Sequence, residues 1–389
     1  MTAAPPVPGR DPLTEEMLES FRGRAAAYDA DNAFFSEDFE DLRGSGYLRM
    51  LVDTPPGAQG GMSRAAEAQR RLAAAAPATA LGVNMHLVWT AVAGLLADRG
   101  DSSLVFVQDE VAAGEVFAFG VSEPGNDAVL FDSLTRVERL ADGDFSYTGR
   151  KVFTSLSPVW TRLGIFGKFE DPEGEAAILH AFVPRGTPGV EILKDWDPLG
   201  MRATRSNTTT LTGVRVPPDA VFRRLPVGPN GDLLVFGIFA AFESLIASVY
   251  LGIADRALEL AVRALGQRRS HTAGRALAED PVLRNLLAGV AMQRTGAEAE
   301  LRGVTQDLDA GAGLATEWFA RLVTLKTHAV AAAVAATSAA LHVGGGSGFS
   351  AGSEVVRLHR DALAGQFHPS TEESARATVA NALLGPLTA

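Results

Sequence analysis

The 389-residue sequence predicts a mainly α protein of the α+β class, with one β domain set between two helical ones. Three observations lead there. Apolar residues recur every three or four positions up to residue 112 and again after 227, the spacing of amphipathic helices. Between 113 and 226 that spacing gives way to short runs rich in β-branched and aromatic residues, broken by turns. The chain is also longer than the roughly 250–300 residues that one hydrophobic core serves. Division follows into 1–112 (helical), 113–226 (β) and 227–389 (a helical bundle).

In the first domain ESFRGRAAAYDADNAFF, SEDFEDLRGSGY, SRAAEAQRRLAAAA and MHLVWTAVAGLLADRG carry the helical period, and Gly44, Gly46, Gly60 and Gly61 punctuate them as helix ends or loops. The strands VFAFGV, SLTRVERL, FSYTGRKVFTS, RLGIFGKF, AAILHAFV and TTTLTGVRV follow, with turns such as ADGD, DPEG and RGTPG between them. Three long helices come next, over residues 235–266, 281–309 and 316–343. In the first of these Phe239, Phe242, Ile246, Val249, Ile253, Ala257 and Leu260 step by three and four, as one face of a bundle helix should. A GGGSGF break at 344–349 precedes a last helix pair. Within that pair stands AGQFHPSTEES, residues 364–374, which sets His368 at the mouth of a break.

A net charge of −11 works against a nucleic-acid partner, because binding phosphates requires a basic patch. Without cysteine, disulfides, thiolate metal ligands and cysteine nucleophiles are excluded. His180, His271, His328, His342 and His359 show no metal-ligand spacing, so no metal is expected. The start, MTAAPPVPGRDPLTEE, lacks a basic segment followed by an apolar run, and no uncharged apolar stretch of ~20 residues is expected further along. A cytoplasmic protein with no membrane partner is the plain reading.

Five segments carry a resemblance: FGVSEPGND (119–127), TGRKVFTS (148–155), WDPLGMRATRSNTTTLTGVRVPPDAVF (196–222), the helix in which Arg268 is counted from Gly252, and GGGSGF (344–349). Together and in this order they resemble the acyl-CoA dehydrogenase superfamily. The resemblance implies an N-terminal helical domain, a middle β-barrel domain and a C-terminal four-helix bundle. It also implies a flavin, FAD or FMN. Ser122 falls in the segment that runs against that flavin, Phe153 where an aromatic ring flanks it, and Ser155 where a hydroxyl bonds it. Taken alone, Phe153 reads rather as a buried strand residue and Ser155 as a turn. After Ser122, Glu123 and Pro124 the usual glycine-serine-aspartate portion is shortened to Asn126 and Asp127. Arg268 matches an arginine that reaches the pyrophosphate of a neighbouring subunit, and Gly345 and Gly346 match a loop that approaches the cofactor across a dimer. A homotetramer or homodimer is therefore implied. As an isolated pattern, GGxG is more often a helix terminator.

Most members of that superfamily carry a base in a Y-E-G-T segment shortly after R-D-A. Here R-D-A stands at 360–362, and the aligned residues are His368, Pro369, Ser370 and Thr371. Proline cannot accept a proton. Some members move the base to the long helix, where this chain has Phe242 at the matching position and Glu243 one residue on, rotated by ~100°. The two-component flavin monooxygenases of the dibenzothiophene and hydroxyphenylacetate type offer another answer. They take reduced flavin from a partner reductase, add O2 and protect a C4a-hydroperoxide in a dry pocket. They resemble this chain at Ser155 and at His368, and imidazole suits proton handling near neutral pH. A turn or cap before the final helix is the other reading of His368. His86, in NMHLVW, lies on a helix that in relatives lines the substrate cavity, although a core histidine also fits.

Three functions therefore stand. The first is a flavin-dependent monooxygenase acting on a small organic substrate, with Ser155 and His368 at the reacting centre. The second is an FAD-dependent acyl-CoA dehydrogenase with Glu243 as base, and the third is a non-catalytic homologue.

Overall fold

Asp232 starts the longest helix: its carboxylate accepts from the Leu234 N–H at 2.8 Å, and 35 residues follow without a break. The computed structural model describes residues 11–52, 61–171, 174–312 and 317–386; Gly60 and the middle of the DPEG turn lie outside those residues. Five helices come first: α1 (Glu15–Ala30), α2 (Ser36–Ser45), α3 (Gly61–Ala75), α4 (Pro77–Asp98) and α5 (Val105–Ala112). Eight strands follow: β1 (Phe117–Gly120), β2 (Arg136–Arg139), β3 (Phe145–Lys151), β4 (Arg162–Phe169), β5 (Ala177–Pro184), β6 (Val190–Ile192), β7 (Thr209–Val216) and β8 (Val221–Pro226). The second helical set is α6 (Leu233–Gln267), α7 (Pro281–Asp309), α8 (Glu317–Gly348), α9 (Glu354–Leu363) and α10 (Glu372–Leu384). The α+β, mainly α class read from the sequence is the class observed.

The strands form one mixed sheet in the order β6-β7-β3-β2-β4-β5-β8, with β1 pairing parallel to β4. The pairing of β3 with β7 sets Lys151 opposite Thr209 and brings the end of β3 beside the segment that precedes β7. β6 and β8 were not among the strands expected. The first has only three residues, and VFRRLP in the second does not alternate.

Close helix contacts are built on glycine. A Cβ on Gly252 of α6 would lie 2.3 Å from the Arg70 carbonyl oxygen of α3, and one on Gly200 would lie 2.2 Å from the Arg360 carbonyl oxygen of α9. The first contact lets α6 lie against the N-terminal helices. The second fastens the loop before β7 to the bundle.

The expectation that no uncharged apolar run of ~20 residues occurs is corrected. Residues 72–97 hold no Asp, Glu, Lys or Arg, and α4, α6 and α8 are long and apolar enough to cross a membrane by length and composition. Their apolarity has another use here: 89%, 83% and 50% of the respective apolar windows are buried inside the protein, as befits helices in the core of a large chain.

Candidate active site

Two strand ends make one wall of a cavity of about 380 Å³. β1 runs out into Val121 and Ser122, β3 runs out into Phe153 and Ser155, and the Val152 N–H donates to the Ser122 carbonyl at 2.9 Å. Phe153 has φ 57°, in the left-handed region, and the turn leaves its ring 55% exposed at the wall. Its edge-to-face partner is Trp196, at 6.0 Å between centroids. The reading of Phe153 as a buried strand residue is thereby corrected.

Beneath this wall Glu123 and Lys151 form a buried ion pair at 2.6 Å. The carboxylate also accepts from Ser133 Oγ, Thr135 Oγ1 and the N–H groups of Leu134 and Thr135. Burial opposes its ionisation, but Lys151 and these donors outweigh that and hold it down to about 2. Asn126 donates to Glu123, to the Val129 carbonyl and to the Asp132 carbonyl, so the shortened segment closes on itself.

Ser155 stands at the head of a hydroxyl ladder. Its Oγ lies 2.8 Å from Ser206 Oγ, which lies 2.7 Å from Thr204 Oγ1, and Thr204 donates to the Met201 carbonyl at 2.9 Å. Each hydroxyl has one proton. Since Thr204 uses its own on Met201, Ser206 must donate to Thr204 and Ser155 to Ser206. Ser155 is left with lone pairs free for an incoming group.

The opposite wall comes from α6 and the α9–α10 turn. Phe239 and Phe242 are half-buried whereas Ile246, Val249, Ile253 and Ala257 of the same stripe are fully buried, because the first two face the cavity. Phe242 stacks on Phe119 at 6.2 Å and meets the His368 ring edge-to-face at 6.5 Å. His368 Nε2 lies 2.8 Å from the Tyr250 hydroxyl. Burial, with the Lys326 ammonium nearby, pushes the imidazole down to about 3, so it is neutral at pH 7. The N-cap of α10 is Thr371, which leaves His368 free of that duty.

The turn itself is clamped. Lys326 Nζ donates to the carbonyls of His368 (3.0 Å) and Ser370 (2.7 Å), and Glu243 Oε1 accepts from the Ser370 N–H (3.2 Å) and Oγ (3.1 Å). Glu243 is fully buried, and burial raises its carboxyl well above the usual range despite the pull of Lys326. Among the described residues it is the one carboxylate in the cavity lining; its Oε1 is taken by Ser370, and its Oε2 is buried without a hydrogen-bond partner.

Ser122, Phe153, Ser155, Phe242, Glu243 and His368 thus come together from four separate segments. His86 does not, which corrects its expected place along the substrate cavity. Its Nε2 bonds the Leu48 carbonyl at 2.8 Å, its Nδ1 accepts from the Phe117 N–H at 3.1 Å, and it serves as a core strut. Arg268 and Gly345 meet each other away from the cavity lining: a Cβ on Gly345 would lie 2.7 Å from the Arg268 guanidinium, which donates to the Val343 carbonyl. Gly345 interrupts α8 with φ 59°, and Gly346 follows it. Sequence reading missed Ser206, Thr204, Trp196, Tyr250 and Lys326. Only Ser206 and Thr204 carried a signal, as hydroxyl residues within the motif at 196–222.

Residues 244–373 match the family model described as Acyl-CoA dehydrogenase, C-terminal domain. Butyryl-CoA dehydrogenase of Megasphaera elsdenii shares the fold, with a TM-score of 0.81 at 20% identity over 96% of this chain and 99% of that one. KijD3, solved in complex with FMN and a dTDP-linked amino sugar, superposes with a TM-score of 0.84 at 25% identity over 96% and 92% of the two chains. The chain has the acyl-CoA dehydrogenase fold, and its residues 244–373 match that family's C-terminal domain. It is also similar to dibenzothiophene monooxygenase of Rhodococcus erythropolis, at 31% identity over 254 residues. That alignment spans 63% of this chain and 59% of the relative, so it covers less than two thirds of the relative's length.

Proposed function

We propose that this protein is a flavin-dependent monooxygenase of the acyl-CoA dehydrogenase superfamily. It takes reduced FMN from a separate reductase and transfers one atom of O2 to a small, mostly apolar aromatic substrate. The observation that carries this reading is the polar inventory of the cavity: a neutral imidazole and a hydroxyl ladder line it, Arg360 is tied to Asp29 and the Leu199 carbonyl, and the one carboxylate, Glu243, has no exposed surface and holds Ser370 through Oε1. A dehydrogenase would need Glu243 within reach of a substrate α-proton. Burial gives that carboxyl the basicity, but it has no exposed surface.

The residues fit a flavin. A cavity of about 380 Å³ lies in the range of cofactor pockets, and a half-exposed aromatic ring stands beside polar groups at a strand edge. Ser122, Phe153 and Ser155 would hold it. The bound reduced flavin supplies two electrons to O2, so that substrate, O2 and FMNH2 give oxygenated substrate, water and FMN. The chain's own contribution is arrangement. Phe119, Phe239, Phe242, Leu81 and Met85 exclude water and favour a flat apolar ring. Ser155 offers a lone pair and His368 a neutral imidazole. FMN is preferred to FAD on the precedent of the KijD3 complex. Arg268 and Gly345, lying off this cavity, suit a cofactor held by another copy, which agrees with a homodimer or homotetramer; light scattering tests that.

The deciding experiment reduces the FMN-loaded protein anaerobically and mixes it with ¹⁸O2 and dibenzothiophene or indole. Product carrying one labelled oxygen is expected. Complete conversion of O2 to hydrogen peroxide with no labelled product, or no binding of FMN in either redox state, defeats the reading. A smaller effect tests the ladder: Ser206→Ala leaves the Ser155 proton without its acceptor, and turnover should fall on the order of tenfold, the size of one lost buried hydrogen bond, with little change in thermal midpoint.

A further inference from the structure

Tyr250 has no place in the function just proposed, yet it is fully buried on α6 and its hydroxyl has a single partner among the described residues, His368 Nε2 at 2.8 Å. A buried O–H that finds no acceptor is costly, so the direction of this bond follows from what each group can do. If the imidazole donated through Nε2–H, the phenol proton would have no acceptor among the described residues. If the phenol donates, every proton is placed. Burial pushes the phenol well above its ordinary range and the imidazole down to about 3, so neither exists as an ion at neutral pH and neither bond direction gains a charge. A neutral imidazole has one N–H.

We propose that Tyr250 is a positioning residue that holds His368 in its Nδ1–H form, so that the ring meets the cavity's ligand as a hydrogen-bond donor and not as a base. The surroundings support a fixed ring. Phe242 lies edge-to-face against it, and Lys326 and Glu243 hold the backbone on either side through His368, Ser370 and their carbonyl or N–H groups. The Tyr250 ring is itself seated under Gly365, where a Cβ would come within 2.8 Å of its Cε1. Among the described residues no other hydrogen bond reaches either nitrogen of His368. Across the cavity Ser155 has its lone pairs free, so these two residues present a donor and an acceptor. That pairing selects a ligand whose acceptor atom faces the α9–α10 turn and whose donor faces the β3 end.

The test has two arms, and only the second rests on the oxygen-transfer reading. In the first, protein labelled with ¹⁵N-histidine is studied by NMR at pH 7, with the His368 signal identified by its loss in His368→Asn. The wild type is expected to show a protonated Nδ1 and a bare Nε2, and Tyr250→Phe should shift the signal toward the Nε2–H form that free imidazole prefers. A wild-type signal from the Nε2–H form overturns the proposal even if the variant does not fold, and so does a Tyr250→Phe signal that remains purely Nδ1–H. In the second arm, Tyr250→Phe should lower kcat by roughly 10- to 100-fold with FMN affinity within about twofold, since the flavin wall is untouched. A changed tautomer with unchanged turnover would support the positioning role and count against His368 as a participant in the reaction.

Discussion

Replacing His368 by alanine should lower oxygen transfer by roughly two to four orders of magnitude, the range that a placed proton-handling group contributes, while FMN affinity stays within about twofold. The variant isolates the ring because the turn does not depend on it. Lys326 binds the carbonyls of residues 368 and 370, and Glu243 binds Ser370; alanine keeps all of these. What disappears is the imidazole between Phe242 and Tyr250, and the Tyr250 hydroxyl loses its acceptor. Unchanged turnover, measured as labelled product per FMN oxidised, would remove His368 from the reaction. A pH series adds a sign. With a folded value near 3 and an ordinary value of 6.5, the ring takes up a proton in the unfolded chain before it does so in the folded one, so stability falls as pH drops from 6.5 toward 3. His86 and His180, lowered by burial to about 4 and about 3, act in the same direction. The alanine variant should therefore lose somewhat less stability on acidification than the wild type. Turnover of the wild type should show no histidine titration between pH 5 and 8.

The fold was legible because the period of the apolar residues changes twice; the stripe through Ile246, Val249 and Ile253 is buried, although packing covers α6 on every side from Glu243 to Ala254. The break at GGGSGF was legible for a local reason, a positive φ at Gly345. The site was legible where a side chain's role is set within its own motif. Ser122, Phe153, Ser155, Phe242 and His368 could be named, and they share one cavity. Partners joined by tertiary distance could not be found in this way. Ser155 meets Ser206 across 51 positions and His368 meets Tyr250 across 118, and no spacing in one sequence encodes either contact. Tyr250 reads as another core residue of a long helix, and Lys326 as a surface charge on an alanine-rich one. His86 shows the opposite error. A polar ring on an apolar helix invites a ligand role, but both its nitrogens are used by backbone groups of Leu48 and Phe117. Glu243 could be picked out as a carboxylate beside an apolar stripe, while the Ser370 groups that bind it belong to a turn 127 positions away.

Lys151→Met should cost roughly 3–5 kcal/mol, because it strands the Glu123 carboxylate in the interior without its countercharge. Lys151 is fully buried, its ammonium also donates to the Phe166 carbonyl at 2.7 Å, and it lies 4.1 Å from the centre of the Phe166 ring. Burial draws the ammonium down to about 8 even with Glu123 beside it, so it remains mostly charged at pH 7. The pair is therefore worth less as a net gain than the removal of either member costs. A double-mutant cycle with Glu123→Gln separates the two quantities. Each single change leaves one buried charge unpaired, the double change leaves none, and the double variant should be more stable than additivity allows by at least ~1 kcal/mol. Strict additivity in thermal or denaturant unfolding would show that the charges are not coupled. The carboxylate also fixes a pH window: its value falls from 4.5 to about 2 on folding, so a contribution of about 3 kcal/mol is fully present above pH 4.5 and is lost as pH falls toward 2. In Lys151→Met the carboxyl is raised instead, and that variant should be relatively less sensitive to acid. The pair reaches function through its position. Glu123 follows Ser122 directly and Lys151 stands two residues before Phe153, so the charges that hold these strand ends together also hold the wall on which the flavin is proposed to lie. FMN affinity should fall in Lys151→Met and recover in part in the double variant, whereas His368→Ala leaves it unchanged.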